Sequence, residues 1–259
     1  MLADFIHELA SQGRTSFSYE DIEKQRSASL MAIKAALRRL QKKGEIAMPY
    51  RGFYVIVPPE YRALACLPAE QFIPDLMNHL GAVYYVGLLS AAEYHGAAHH
   101  RPQVFQVMVA KSRRSIRCGK VQVDFIIRKN ADRVPTRLNN TPAGVIKIST
   151  PEATALDLIG YVGHCGGIDN VATVLAELLE KIDAGHLVEV AELSPIAWVQ
   201  RLGYLLDLIG AREKTEGLAG YIKNRRPVRT SLIPTRSIKR AVMDKTWQVF
   251  VNAKVEAEV

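Results

Sequence analysis

Apolar residues recur three and four positions apart at Leu2, Phe5, Ile6 and Leu9, which predicts an amphipathic helix over residues 2–11 stopped by Gly13. A second, short helix is expected from Tyr19 to Gln25. Phe17 packs at the turn before it, Ser18 is placed to cap it, and Asp21 stands at its third position. A polar turn, Arg26-Ser27-Ala28, leads to a third helix capped by Ser27 or Ser29. On that helix Leu30, Ile33, Leu37 and Leu40 fall within roughly a quarter of the circumference, so this face is expected in a small core. The opposite side carries Met31, Ala35, Arg38, Arg39 and Lys42, with Lys34 on the flank, and Gly44 is a natural stop. Ile46 to Val57 then reads as a β-hairpin that turns at Tyr50-Arg51-Gly52, with Pro49 marking an edge strand. Residues 1–57 thus predict a helix-turn-helix closed by a basic wing.

Pro58-Pro59 ends that module, and 58–68 reads as a connector to a larger domain over 69–259. There, Phe72 to Leu80 is expected to be helical around Pro74, followed by a helix at 86–95. Strands are expected at Gln103–Ala110, Val121–Ile127 and Val145–Ser149, with the stretches 111–115 and 117–120 as basic turns. Thr150 before Pro151 opens a helical region with helices near 151–161, 167–181, 186–192, 194–209 and 211–223. Trp247 to Asn252 reads as a final strand. The expected fold class is α+β: a winged helix-turn-helix followed by a mixed domain with a small sheet and a helical bundle.

Composition narrows the partners. The chain has 259 residues, a net charge of +8 and a pI near 9.4, which favours a polyanion without separating DNA from RNA or a membrane surface. Charge is segregated: 100–140 holds ten Lys/Arg against two Asp/Glu and 221–245 eight against one, whereas 141–220 holds five against eleven. No run of about 18 uncharged apolar residues predicts a membrane span. Met1–Phe5 lacks the pattern of an export signal, and Cys66, Cys118 and Cys165 are odd in number and far apart. Reduced thiols and a cytoplasmic location are therefore expected, with neither a disulfide frame nor a zinc site.

Candidate chemistry concentrates in the first module. A major groove about 12 Å wide admits one helix, whose leading end and outer face reach base edges. Ser27, Ser29, Met31 and Lys34 lie at that end. Arg38, Arg39, Lys42 and Lys43 lie further along, where phosphate contact is expected, and Tyr50 and Arg51 form the wing tip. The same fold also serves protein contacts. Two further basic clusters, Arg113, Arg114 and Arg117, and Lys223, Arg225, Arg226 and Arg229, either extend a DNA footprint, grip RNA or an acidic protein, or are solvated loops.

Enzymatic patterns are weaker. His95 and His99 stand four apart near Glu93 and His100, but the His-Glu-x-x-His order is missing, and structural histidines are the simpler expectation. An alternative function remains open: a metal-dependent nucleic-acid-processing enzyme in which His95, His99 and Asp124 converge and the winged helix presents substrate. His164 beside Cys165 reads as a loop rather than a base and nucleophile. No phosphate-binding glycine motif and no paired carboxylates for two metals occur, so no cofactor, metal or catalytic residue is assigned.

Four runs carry a family resemblance: VYYVGLLSAAEYHGAAHHRPQVFQV at 83–107, STPEATALDL at 149–158, QRLGYLLD at 200–207 and WQVFVN at 247–252. Together with the N-terminal winged helix they resemble the AbiEi-type antitoxins over nearly the whole chain. The resemblance implies a type IV toxin–antitoxin operon associated with abortive phage infection. It further implies an antitoxin that represses its own promoter through the winged helix, bound as double-stranded DNA with repeated half-sites. The larger domain would counter a nucleotidyltransferase-like toxin without a stable complex. It transfers no catalytic residue and no individual base contact.

Overall fold

The computed structural model describes residues 2–24, 29–97 and 102–257. It divides into two compact units, the first made of residues 1–85, 103–131 and 138–147, the second of 86–102, 132–137 and 148–259. The fold class is α+β.

The first unit begins with helix α1 (Leu2–Ser11), strand β1 (Ser16–Ser18) and helices α2 (Tyr19–Lys24) and α3 (Leu30–Lys42). The wing strands β2 (Ile46–Tyr50) and β3 (Phe53–Ile56) complete an antiparallel sheet in the order β1-β3-β2. Phe5, Ile6, Leu9, Phe17, Ile22, Leu37, Leu40, Ile46 and Tyr54 form its core. Phe17 lies in β1 rather than at a turn, stacked on Tyr54 with ring centroids 5.3 Å apart.

The expected capping box is present: the Ser18 N–H donates to Asp21 Oδ2 at 2.8 Å and the Asp21 N–H to Ser18 Oγ at 3.2 Å. Burial works against the Asp21 carboxylate. The Ser18 N–H and hydroxyl, with Arg14 beside them, outweigh it and hold the pKa below its usual value. One expectation for α3 fails. Leu30 is 58% exposed, and only Leu37 and Leu40 are buried, with Ile33 partly so. The first turn of α3 extends beyond the core cluster, so the apolar face outruns what it has to pack against.

Helix α4 (Ala69–His79) follows a short 3₁₀ turn at Pro59–Leu64, and Ser16 Oγ ties β1 to it by donating to Asp75 at 2.7 Å. Next come β4 (Tyr84–Val86), helix α5 (Leu88–Tyr94), and strands β5 (Phe105–Val109), β6 (Ile116–Cys118), β7 (Val121–Ile127), β8 (Thr136–Thr141) and β9 (Gly144–Ser149). The sheet order is β6-β7-β5-β4-β9-β8. β5 runs parallel to β7 from Phe105↔Val123 to Val109↔Ile127, and β6 runs antiparallel to β7. Within this sheet three strand assignments depart from the sequence expectation. The helix expected from Val86 starts at Leu88, because Tyr84-Tyr85-Val86 is a fully buried strand. Ile116–Cys118, expected within basic turns, pairs with β7. β8 went unpredicted because Thr136–Thr141 lies at the sheet edge with its side chains mostly in solvent, leaving no apolar alternation to detect.

The second unit packs α5 with α6 (Pro151–Gly160), α7 (Ile168–Leu178), α8 (Ala184–Ala191), α9 (Ile196–Leu208) and α10 (Arg212–Asn224). Its small sheet, order β10-β12-β11, comprises β10 (Thr230–Ser231), β11 (Val242–Asp244) and β12 (Val249–Val251). No helix among the described residues is long and apolar enough to cross a membrane.

Candidate nucleic-acid interface

Helix α3 starts where it does because Ser29, extended at φ −65° and ψ 151°, turns its hydroxyl back to accept from the Ala32 N–H at 3.3 Å. That bond satisfies one of the orphan donors of the first turn. It also occupies the Ser29 side chain that the sequence offered for base contact. Beside it, Met31 is 82% exposed, so with Leu30 the leading end of α3 presents two apolar side chains to solvent. Such groups suit contact with thymine methyls in a major groove. Ser27 lies outside the described residues.

Lys34, Arg38, Arg39 and Lys42 are exposed along the outer face, and none forms an ion pair among the described residues. Lys43 stands 3.9 Å from Glu45, an exposed pair that leaves its charge accessible. The wing turns at Gly52, whose φ of +77° is the reason a glycine follows Arg51. Gly52 O accepts from the Tyr19 N–H at 2.9 Å, which fixes the wing to the start of α2. Arg51 is exposed at the tip and Tyr50 half-buried beneath it. The structure therefore brings the outer face of α3 and the wing into one small module of the first unit, and of these exposed cations only Lys43 is paired among the described residues.

The secondary basic residues differ in availability. In the first unit Arg117 pairs with Asp124 at 3.2 Å and donates to Ile116 O. Arg114 is exposed, while Arg113 is half-buried with an Nε that has no hydrogen-bond partner among the described residues. In the second unit Lys223, Arg225, Arg226 and Arg229 are exposed, with Arg225 over the Tyr221 ring and 3.7 Å from Glu192.

Of the residues considered for metal chemistry, His95 and Asp124 are otherwise engaged. His95 Nε2 lies 2.8 Å from Ser149 O, and since a carbonyl only accepts, that nitrogen carries the proton. Burial lowers the His95 pKa, which favours the neutral ring. Asp124 is the partner of Arg117, and His99 and His100 lie outside the described residues. Among the described residues no group of three or more His, Cys, Asp or Glu is arranged to hold a metal. Burial pushes the Cys165 thiol up to about 12, far from a nucleophile at neutral pH.

The long sequence motifs of the second unit turn out to be joints. The Ser149 and Thr154 hydroxyls hydrogen-bond to each other at 2.7 Å, Thr150 caps α6, and buried Glu152 accepts from the Asp183 N–H at 2.9 Å. Gln200 clamps two strand connections by donating to Val228 O at 2.8 Å and Trp247 O at 2.7 Å. Arg201 donates to Ser231 O and to the Thr230 hydroxyl. Gly203 lies against the Trp247 ring, where a Cβ would stand 2.1 Å from a ring carbon, and Asp207 accepts from the Trp247 indole N–H at 2.8 Å. Asn252 closes the sheet through Ile233 and Arg236.

Fold and site together define a winged-helix protein with an α+β second unit. Two family models match it: "Transcriptional regulator, AbiEi antitoxin" over residues 4–57 and "AbiEi antitoxin C-terminal domain" over residues 85–208. The chain belongs to the AbiEi antitoxins, a family of antitoxins and transcriptional regulators. Among solved structures it is similar to the RV2827C protein from Mycobacterium tuberculosis, with 18% identity and a TM-score of 0.68, covering 95% of this chain and 89% of that one. At that identity the likeness concerns the fold. Among curated proteins none matches the chain.

Proposed function

We propose that this protein is a DNA-binding autorepressor and the antitoxin of a type IV toxin–antitoxin pair, countering a nucleotidyltransferase-like toxin without forming a stable complex with it. The observation that carries the DNA half is the row of exposed cations on the outer face of α3, Lys34, Arg38, Arg39 and Lys42, none in an ion pair among the described residues, with Arg51 exposed at the wing tip of the same unit. A helix presented this way suits a major groove, with the wing reaching the backbone or the minor groove alongside. Arg38, Arg39 and Lys42 supply the sequence-tolerant electrostatic attraction, and the leading end of α3 supplies selectivity. The partner is double-stranded DNA of the protein's own promoter, read as repeated half-sites, and the role belongs in the cytoplasm. The antitoxin half rests on the family to which the chain belongs.

The test is a promoter fusion in cells that also carry the neighbouring toxin frame. Point variants in the full chain are the proper tool, because residues 1–57 share a compact unit with 58–85, 103–131 and 138–147. The combined R38A/R39A/K42A variant should derepress the promoter yet still protect against the toxin. Loss of protection together with repression would mean that the α3 face serves antitoxicity itself, and unchanged repression would remove the DNA assignment.

A further inference from the structure

Two cysteines that are 52 positions apart in the sequence meet in the first unit. The chain after the 3₁₀ turn Pro59–Leu64 passes directly under the β6–β7 turn: the Lys120 N–H donates to Leu64 O at 2.8 Å. A Cβ on Gly119 would lie 2.1 Å from that same oxygen and 2.8 Å from the Ala65 Cβ, so only glycine permits the approach. Both backbones thereby hold the next residues together, Cys66 on one side and Cys118 on the other, and the Cys66 thiol hydrogen-bonds to the Cys118 sulfur. Cys66 is fully buried and Cys118 is partly open to solvent.

The wing strand joins this pair. β2 carries an irregularity between Ala47 and Tyr50, which takes Met48 and Pro49 out of register with β3. β2 packs on β6 at this point, and the Met48 N–H faces the Cys118 sulfur, where it favours the charged form. Met48 is two residues from Tyr50 and three from Arg51.

We propose that Cys66 and Cys118 are a peroxide-oxidisable pair whose disulfide removes the anchor of the wing strand at Met48. The hydrogen bond from Cys66 lowers the Cys118 pKa, burial opposes this, and the Met48 N–H adds to the lowering, so Cys118 is the more readily ionised thiol of the pair. The Cys66 thiol is the donor, and its own pKa is driven up. The Cys118 thiolate attacks hydrogen peroxide, the O–O bond breaks, and with one proton taken up it becomes a sulfenic acid and water. The Cys66 sulfur then attacks the Cys118 sulfur. The S–S bond forms, the S–O bond breaks, and the departing hydroxide leaves as water with the Cys66 proton. In sum two thiols lose two electrons and one peroxide becomes two waters. A disulfide sulfur can carry no negative charge, so it loses the stronger hold on the Met48 N–H that Cys118 has when ionised. In a reducing compartment such a bond is transient, which suits a regulatory rather than a structural disulfide.

The experiment treats the full chain with a small excess of hydrogen peroxide and maps the thiols by non-reducing peptide mass spectrometry, with amide hydrogen exchange read on the same samples. The expected result is one intrachain link between the Cys66 and Cys118 peptides, reversed by dithiothreitol, with Cys165 still reduced. Exchange at Met48 should then quicken roughly fivefold or more, while α6 and α9 stay unchanged. A C66S chain should give no link and should instead collect Cys118 sulfenic acid, trappable by dimedone. Free thiols at both sites, sulfinic acid at Cys118 of the unaltered chain, or a link between two chains would each overturn the pairing. A Cys66–Cys118 link with unchanged Met48 exchange would overturn the coupling to the wing. None of these outcomes depends on DNA, so they stand apart from the test of repression.

Discussion

The outer face of α3 and the motif residues of the second unit use polar side chains in opposite ways. Lys34, Arg38, Arg39 and Lys42 point into solvent and bond nothing among the described residues, whereas Ser149, Glu152, Gln200, Arg201 and Asp207 are spent on backbone, helix caps and a single indole. An exposed cation held on a rigid helix keeps its charge available for a partner. A side chain already bonded within the fold has far less to offer one. The most recognisable sequence runs of the second unit therefore describe how it is built, and the surface that counters a toxin has to be sought among other residues.

That contrast can be broken at several points. The largest effect is expected at Gly203. Gly203→Val forces a side chain into the Trp247 ring and should destabilise the second unit by about 3 kcal/mol in denaturant titration. The R38A/R39A/K42A chain, changed only at the surface, should stay within about 0.5 kcal/mol of the unaltered protein.

His95→Ala should cost about 1–3 kcal/mol, because it removes the 2.8 Å bond to Ser149 O and leaves that carbonyl only the longer one from the Thr154 hydroxyl at 3.4 Å. The same histidine gives a pH signature. Its folded pKa lies below the unfolded value of 6.5, so its contribution is complete above 6.5 and is lost as the pH falls through the folded value. Stability should decline on acidification in that window, and His95→Ala should make the decline shallower. A smaller effect belongs to the winged module. Asp21→Ala removes half of the capping box and should cost about 1 kcal/mol by thermal unfolding, with the α3 cations untouched.

Much of the architecture was legible in the sequence where local chemistry decides it. Ser29 before an apolar period, Ser18 with Asp21, and Thr150 before Pro151 all mark helix starts that the structure contains. What escaped was decided by distant partners. β8 is a strand because it lies beside β9, although Thr136–Thr141 has no apolar alternation. β4 is too short to separate from the helix that follows it. Leu30 has the right period for the core and the wrong position along the helix, since burial also depends on how far the neighbouring elements reach. The Cys66–Cys118 contact, made by a Gly119 that lets two backbones touch, has no signature at all in the spacing of the cysteines.

The assignment of α3 and the wing as the DNA-reading face is tested most directly by equilibrium titration of the full chain with its upstream DNA across a range of salt concentrations. Each phosphate contact contributes about −0.9 to the slope of log affinity against log salt. Replacing Arg38, Arg39 and Lys42 by alanine should therefore weaken binding at low salt and flatten that slope by about 2 to 3. Affinity and slope equal to those of the unaltered chain would contradict the assignment.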